Sequence, residues 1–315
     1  MNKILITGGA GFIGRELADY ISNDINNHII VVDNLSTGDS KKIPQKGNIK
    51  FIKCDVNNRQ SIGEIMLAHQ FDYVFHYAAM VGVSRTQQYP TKVLEDIDGI
   101  RNILELSKNT NVKRVFFSSS SEVYGEPVEF PQNEETTPLN SRLPYAIVKN
   151  VGEAYLKSFQ KEYGLEYTIF RFFNTYGSYQ SRDFVISKFL SAALQNKDIT
   201  IYGDGSQTRT FCHISDNIKA TVAIAFQNKY INEIVNIGSS IETPIKELAE
   251  LVIKMTNSKS KIVYLPPLAE GDMTRRKPDN SKMVKILGRN PILLEEGLER
   301  VIKSGVFELD HLNNV

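Results

Sequence analysis

Tyr145 and Lys149 stand four residues apart in PYAIVKNVGEAYL. That spacing puts both side chains on one face if the segment is helical. A free phenol titrates near ~10, too high for a base at neutral pH. A neighbouring ammonium favours the phenolate, so the pair has the makings of a general base for an alcohol proton. Tyr-x-x-x-Lys recurs by chance, and its meaning depends on what surrounds it. Upstream, FFSSSSEVYG at 116–125 crowds four hydroxyls and the Glu122 carboxylate behind an apolar run. A serine there, Ser120 or Ser121, can donate to a reacting oxygen and accept from Tyr145. Ser118 and Ser119 read as a polar turn with a capping role.

A second chemical signal lies at the start of the chain. TGGAGFIG at 7–14 follows the apolar Ile4–Ile6 and precedes a helical pattern. Gly9, Gly11 and Gly14 satisfy G-x-G-x-x-G, the phosphate cradle of a dinucleotide-binding turn. Glycine permits the tight turn, lets backbone amides approach a pyrophosphate and lets the helix sit close to the strand. The positive helix end then faces the phosphates. Asp33 closes the next apolar run, Ile29–Val32, near the ~20-residue offset where a carboxylate accepts from the adenosine ribose. Such a carboxylate repels a 2′-phosphate, which points to NAD rather than NADP. Beside NAD, Tyr145 would take the hydroxyl proton from an alcohol whose carbon is being oxidised, and Lys149 would also hold the nicotinamide ribose.

These residues need a scaffold, and the pattern supplies one. Apolar strand candidates at 3–7, 28–32, 49–53, 72–76, 113–118 and 166–171 alternate with helical stretches near 12–23, 58–69, 91–109 and 145–163. That alternation argues for a doubly wound parallel α/β sheet, a Rossmann architecture, with ligands at the carboxyl ends of its strands. After 172 the pattern loosens. Residues 174–183 and 203–209 read as loops, 184–196 as a helix, 231–237 as a strand, and 244–255 as a helix with Pro244 in its first turn. The stretch 264–282 is polar and carries Arg275, Arg276 and Lys277. The expected division is a NAD-binding domain over 1–172, with a returning segment near 210–237. A smaller α/β substrate cap takes 173–209 and 238–315.

Composition excludes several classes. With 315 residues, 41% hydrophobic, 23% charged and a net charge of +1, the chain offers no broad basic surface for nucleic acid. Cys54 and Cys212 are too few for a disulfide framework and lack metal-ligand spacing, and His76 and His213 have no clustered partners, so no metal is expected. Both histidines read as hydrogen-bonded core or loop residues. No apolar run approaches the ~18 residues of a membrane span, and the expected location is cytoplasmic.

The chain resembles the extended short-chain dehydrogenase/reductases, and within them the NAD-dependent epimerase/dehydratases of nucleotide sugars. The resemblance rests on TGGAGFIG at 7–14, Asp33, CDV at 54–56, HYAA at 76–79, SSSEVYG at 119–125, Tyr145 with Lys149, RFFNTYG at 171–177, GDGSQTRTF at 203–211 and RRKPD at 275–279. It implies catalytic roles for Tyr145, Lys149, Ser120 and Glu122. Cofactor contacts are implied at Gly8, Gly11, Phe12, Ile13, Gly14, Asp33, Asn34, Asp55, Val56, Ala78 and Ala79, besides Tyr145 and Lys149. The implied contacts to a nucleoside-diphosphate sugar are Ser121, Asn174, Arg209, Arg276 and Asp279. A homodimer through a four-helix bundle is also implied. Apolar residues at Val93, Leu94, Ile97, Ile100, Ile103 and Leu104, and at Val151, Ala154, Tyr155 and Phe159, would give the two helices a face for the sheet and one for the partner.

Some positions depart from the family pattern. Arg15 replaces a small residue and has reach toward a phosphate or ribose, Val148 replaces a common serine, and MVGVSRTQQYP at 80–90 differs from the decarboxylase pattern. The shared expectation is oxidation at sugar C4, followed by C4 epimerisation, by water loss across C5–C6, or by loss of a C6 carboxylate. Glu122 and Arg276 resemble the eliminating and decarboxylating members, while the 80–90 stretch resembles epimerases. The expectation favours epimerisation.

Overall fold

The computed structural model describes residues 1–267 and 275–307, the side chains of 83 and 84 apart. Residues 268–274 of the polar stretch and 308–315 of the expected cap lie outside the described residues. In chain order the elements are β1 (Asn2–Thr7), α1 (Phe12–Ile21), β2 (Asn27–Asp33), β3 (Ile49–Lys53), α2 (Arg59–His69), β4 (Tyr73–His76), α3 (Val83–Gln88), α4 (Pro90–Leu94), α5 (Asp96–Asn109), β5 (Arg114–Ser120), α6 (Pro144–Tyr163) and β6 (Glu166–Phe172). There follow β7 (Thr175–Tyr176), α7 (Val185–Leu194), β8 (Ile199–Tyr202), β9 (Thr208–Thr210), β10 (Cys212–His213), α8 (Ile214–Phe226), β11 (Glu233–Ile237), β12 (Glu242–Pro244), α9 (Ile245–Met255), β13 (Ile262–Leu265), α10 (Ser281–Leu287) and α11 (Leu294–Lys303).

The chain forms two compact units. The first comprises Met1–Val123, Ser141–Phe172 and Ile218–Val235; the second comprises Tyr124–Asn140, Phe173–Asn217 and Asn236–Val315. The principal sheet has the order β11-β6-β5-β4-β1-β2-β3. Five of its pairings, from β3 across to β6, are parallel. Its direction of growth reverses between β1 and β4, the switch point at which doubly wound sheets take their ligands. Its central strands read IVVD, YVFH and RVFF because a sheet covered on both faces buries every side chain; Ile4, Leu5, Ile6, Val31, Phe75 and Phe116 are all buried.

Helix ends follow their local chemistry. Pro144 opens α6, where its missing amide costs nothing, and Gly164 closes it in the left-handed region at φ 71. Within α6, Gly152 allows close approach to the sheet: a Cβ there would stand 2.4 Å from Phe117 Cζ. Short strands β7 and β9 stand within or across the stretches 174–183 and 203–209 that read as loops, and three further local expectations change. The single helix over 91–109 is broken into α4 and α5 at Glu95, where Asp98 N–H donates to the Glu95 carbonyl in an i to i+3 turn and Met80 N–H donates to the Asp96 carboxylate. Pro244 ends β12 and precedes α9 instead of lying within its first turn. The serines 118–120 continue β5 rather than turning, because β6 runs alongside and pairs Ser119 with Arg171 and Ser120 with Phe172.

In the second unit β10 pairs with β7, β12 with β9 and β13 with β8. Its core packs α7, α9 and α11 through Phe189, Leu190, Leu248, Val252, Leu298 and Val301.

Candidate active site

The glycine loop is shaped by what presses on it. Gly8 lies at φ 69, and a Cβ there would stand 2.6 Å from the Ala78 amide nitrogen. A Cβ on Gly14 would stand 2.5 Å from the Gly8 carbonyl oxygen. Gly11 caps α1 with extended backbone and no side-chain bond. The first-turn amides of Phe12, Ile13 and Gly14 therefore have no carbonyl partner within the helix and form a positive end. Asp33 accepts from Ala10 N–H at 3.1 Å and Leu35 N–H at 2.8 Å. Burial pushes its carboxyl up against the pull of these amides, and lone pairs remain for ribose hydroxyls. Asn34 donates to Asp55 at 3.2 Å, while Val56 is buried. A cradle only glycine can line, helix-end amides with no partner inside the helix and a carboxylate with lone pairs to spare together fit a dinucleotide.

Arg15 is spoken for within the fold. Its Nε donates to the Lys42 carbonyl at 2.5 Å and its guanidinium pairs with Glu16. Gly38, which the sequence did not single out, passes so close that a Cβ would lie 2.8 Å from Ala10 Cβ and 3.0 Å from Asp33 Oδ1. The loop after β2 thus rests on the glycine turn.

Behind the cradle sits a small buried network. Thr7 Oγ1 accepts from Tyr77 N–H and Ala78 N–H, both at 3.1 Å. Its own proton therefore goes to His76 Nδ1 at 2.8 Å, which leaves the ring proton on Nε2. Burial, and after it the Lys149 charge, push His76 down to about 3, so the ring is neutral. The expectation of a core histidine agrees with this placement; His213 in turn bonds Ser215 at 2.9 Å.

Lys149 is 2% exposed. Its ammonium lies 3.5 Å from Ser118 Oγ, 4.9 Å from the centre of the Phe117 ring and 5.7 Å from that of Tyr145. Burial pushes it down to about 8, against the pull of Asp96. Asp96 went unnoticed in the sequence because a carboxylate opening a helix normally has a capping role. Ser120 ends β5 and accepts from Glu122 N–H at 3.2 Å. Glu122 is half-buried and Ser121 buried. Val148 lies in the core, in keeping with a packing role. Ser119 does not cap a turn: its hydroxyl donates to Glu153 at 2.6 Å.

Of the residues expected to contact the nucleotide sugar, Asn174, Arg209, Arg276 and Asp279 fall in the second unit, whereas Ser121 falls in the first, with all those expected to serve catalysis and the cofactor. Asn174 sits in the left-handed region at φ 32 and donates to the Thr210 carbonyl at 3.0 Å. Arg209 and Arg276 are 8% and 6% exposed. Of the three cations at 275–277, Arg275 and Lys277 pair with Glu242. A plain solvated charge run therefore does not describe Arg276. The Asp279 carboxylate accepts from Asn133 at 3.1 Å and from Ser281, and these bonds, Ser281 first, hold it below its usual range.

A family model described as the NAD dependent epimerase/dehydratase family matches residues 4–238. The chain belongs to that family. It is 38% identical to a UDP-N-acetyl-alpha-D-glucosaminuronate decarboxylase of Bacillus cytotoxicus over 96% of this chain and 97% of the relative. It is 36% identical to UDP-glucuronic acid decarboxylase 1 of Danio rerio over 99% and 74%. Among solved structures it is similar to a UDP-glucose 4-epimerase with UDP-glucose from Thermotoga maritima, with a TM-score of 0.91 and 33% identity over 98% and 99%. As a member of the NAD dependent epimerase/dehydratase family, the protein is an NAD-dependent enzyme modifying nucleotide sugars. Among the described residues no cluster could hold a metal ion, and no helix is long and apolar enough to cross a membrane.

The four-helix expectation meets a fold in which most of the named α4 and α5 residues already face inward. Val93, Ile100, Ile103 and Leu104 are buried within the chain, and Leu94 is exposed. The outer face of α5 carries Asp98 and Arg101.

Proposed function

We propose that this enzyme oxidises C4 of a nucleoside-diphosphate uronate and releases its C6 carboxylate as CO₂. The observation that carries the oxidative step is the buried Lys149 ammonium beside the Tyr145 ring. It favours the phenolate, so Tyr145 takes the C4 hydroxyl proton. Ser120 donates to the same oxygen as it becomes a carbonyl. NAD⁺, when bound through the glycine loop and Asp33, supplies the oxidant and is regenerated when C4 is reduced again. The 4-keto uronate is a β-keto acid: the C5–C6 bond breaks, its electron pair passes into the C4–C5 enolate, and CO₂ leaves. Glu122 returns a proton to C5, and Tyr145 returns one to the C4 oxygen. Arg276 would hold the carboxylate before it departs, a role suited to a fixed, nearly buried guanidinium. Decarboxylation is placed ahead of the sequence expectation because of the decarboxylase relatives at 38% and 36% identity.

C4 epimerisation is the second reading, favoured by the likeness to the Thermotoga maritima epimerase. The protein with NAD⁺ is incubated with UDP-glucose, UDP-glucuronate and UDP-N-acetylglucosaminuronate in deuterated water. CO₂ release from a uronate, with one deuterium at C5 of the pentose, is expected. Interconversion of C4 epimers without label at C5 would instead establish the second reading, and water loss from a hexose would make the enzyme a dehydratase. A homodimer through α4, α5 and α6, with exposed Leu94 of α4 and Ile147 of α6 on the joining faces, belongs to the same proposal; a monomeric mass at micromolar concentration would overturn it.

A further inference from the structure

Glu153 lies one turn beyond Lys149 and two beyond Tyr145, on the same face of α6. It makes a bidentate ion pair with Arg171 of β6: Nε donates to Oε1 at 2.9 Å and Nη2 to Oε2 at 2.7 Å. Both side chains are 2% exposed. Ser119 of β5 donates to the same Oε1 at 2.6 Å. One carboxylate thus joins three elements. β5 delivers Ser120, the residue after Ser119, and α6 delivers Tyr145 and Lys149. β6 lies alongside in register, with Arg171 opposite Ser119.

The oxidation proposed above does not use this triad, and a sheet already packed by Phe117, Ile169 and Val148 does not need an ion pair for burial. Replacing such pairs by apolar groups often leaves stability unchanged, so their presence is a poor stability device. What the triad does supply is direction. Apolar packing lets a helix slide or roll by a fraction of an ångström. Three charge-assisted hydrogen bonds of fixed geometry do not. Gly152, adjacent in the chain, removes the side chain that would hold α6 away from Phe117, so the helix is both drawn in and keyed in register.

We propose that Ser119, Glu153 and Arg171 are positioning residues that set the separation between the Ser120 hydroxyl and the Tyr145 phenol. The proposal rests on the oxidative role of Tyr145 and Ser120 for its kinetic consequence, but not for its structural one. Proton transfer tolerates little misplacement, and a shift of about 1 Å can cost on the order of a hundredfold in rate.

The test uses the full chain with Ser119→Ala, which removes one hydroxyl and leaves the ion pair, and Ser119→Thr, which keeps the hydroxyl. Glu153→Gln serves as a third variant, keeping the acceptor and losing the charge. In Ser119→Ala kcat is expected to fall about tenfold or more, with KM for the nucleotide sugar and NAD⁺ affinity within twofold of the parent, and Ser119→Thr restores it. Crystal structures of the parent and Ser119→Ala supply the second readout: the Ser120 Oγ to Tyr145 Oη separation changes by about 0.5 Å or more. Lowered thermal stability with kcat and that separation both unchanged would overturn the proposal. If the parent turns over no nucleotide sugar, the oxidative reading fails. The measured separation still decides the positioning role. If Ser119→Ala does not fold, the same measurements on Glu153→Gln decide it.

Discussion

Lys149 should weaken the fold it serves. Its ammonium falls from the ordinary 10.5 to about 8 because burial removes it from water. A shift of that size corresponds to about 3 kcal/mol held against the folded state at neutral pH. Lys149→Met keeps the length and fills the same space with an apolar chain. Two losses offset the gain. The cation no longer sits over the Phe117 and Tyr145 rings, and half-buried Asp96 loses a charge that lowered its carboxyl. A net stabilisation of about 1–3 kcal/mol remains, roughly 2–4 °C per kcal/mol in melting temperature for a unit of this size. The pH dependence gives the sharper check. Because the folded value lies below the unfolded one, the unfolded chain binds more protons between about pH 8 and 10.5. The parent therefore gains stability as pH rises through that window, and below it the penalty is constant. The gap between Lys149→Met and the parent should be full at pH 7 and close toward pH 10.5. Urea and thermal unfolding of the cofactor-free proteins across pH 7–10.5 measure this, while turnover of the variant should be lost. A variant less stable than the parent at pH 7, or a gap that does not narrow, would refute the electrostatic account.

Tyr145→Phe should reduce turnover by about 10²–10⁴-fold while leaving NAD⁺ affinity within a few-fold by calorimetry, since only the proton carrier is removed. Gly8→Ala should weaken NAD⁺ binding at least about tenfold and destabilise the protein by about 1–3 kcal/mol. A side chain there meets the Ala78 amide in a backbone region that L-residues avoid. Glu122→Gln should leave exchange of label between C4 of the sugar and the cofactor measurable while slowing product release as pentose or deoxy sugar; equal loss of both steps would remove Glu122 from the C5 chemistry.

Part of this protein could be read from the order of its residues. Glycine spacing after an apolar strand, a carboxylate ending the next strand, and a phenol four residues from an amine each depend on separations within one element, and those are set by the periods of helix and strand. The parallel doubly wound sheet follows from the same alternation. The break at Glu95, the continuation of β5 through its serines, and the bonding of Ser119 to Glu153 and Arg171 needed the fold. Each depends on which strand lies alongside, and sequence separation carries no record of that. Likewise, Arg15 and Arg276 are both simply cations in the chain. Only packing turned one toward Glu16 and Lys42 and left the other nearly buried. Periodicity determines which way a side chain leaves its own backbone, but the low-dielectric neighbourhood that gives it a charge state and a partner is assembled from distant segments.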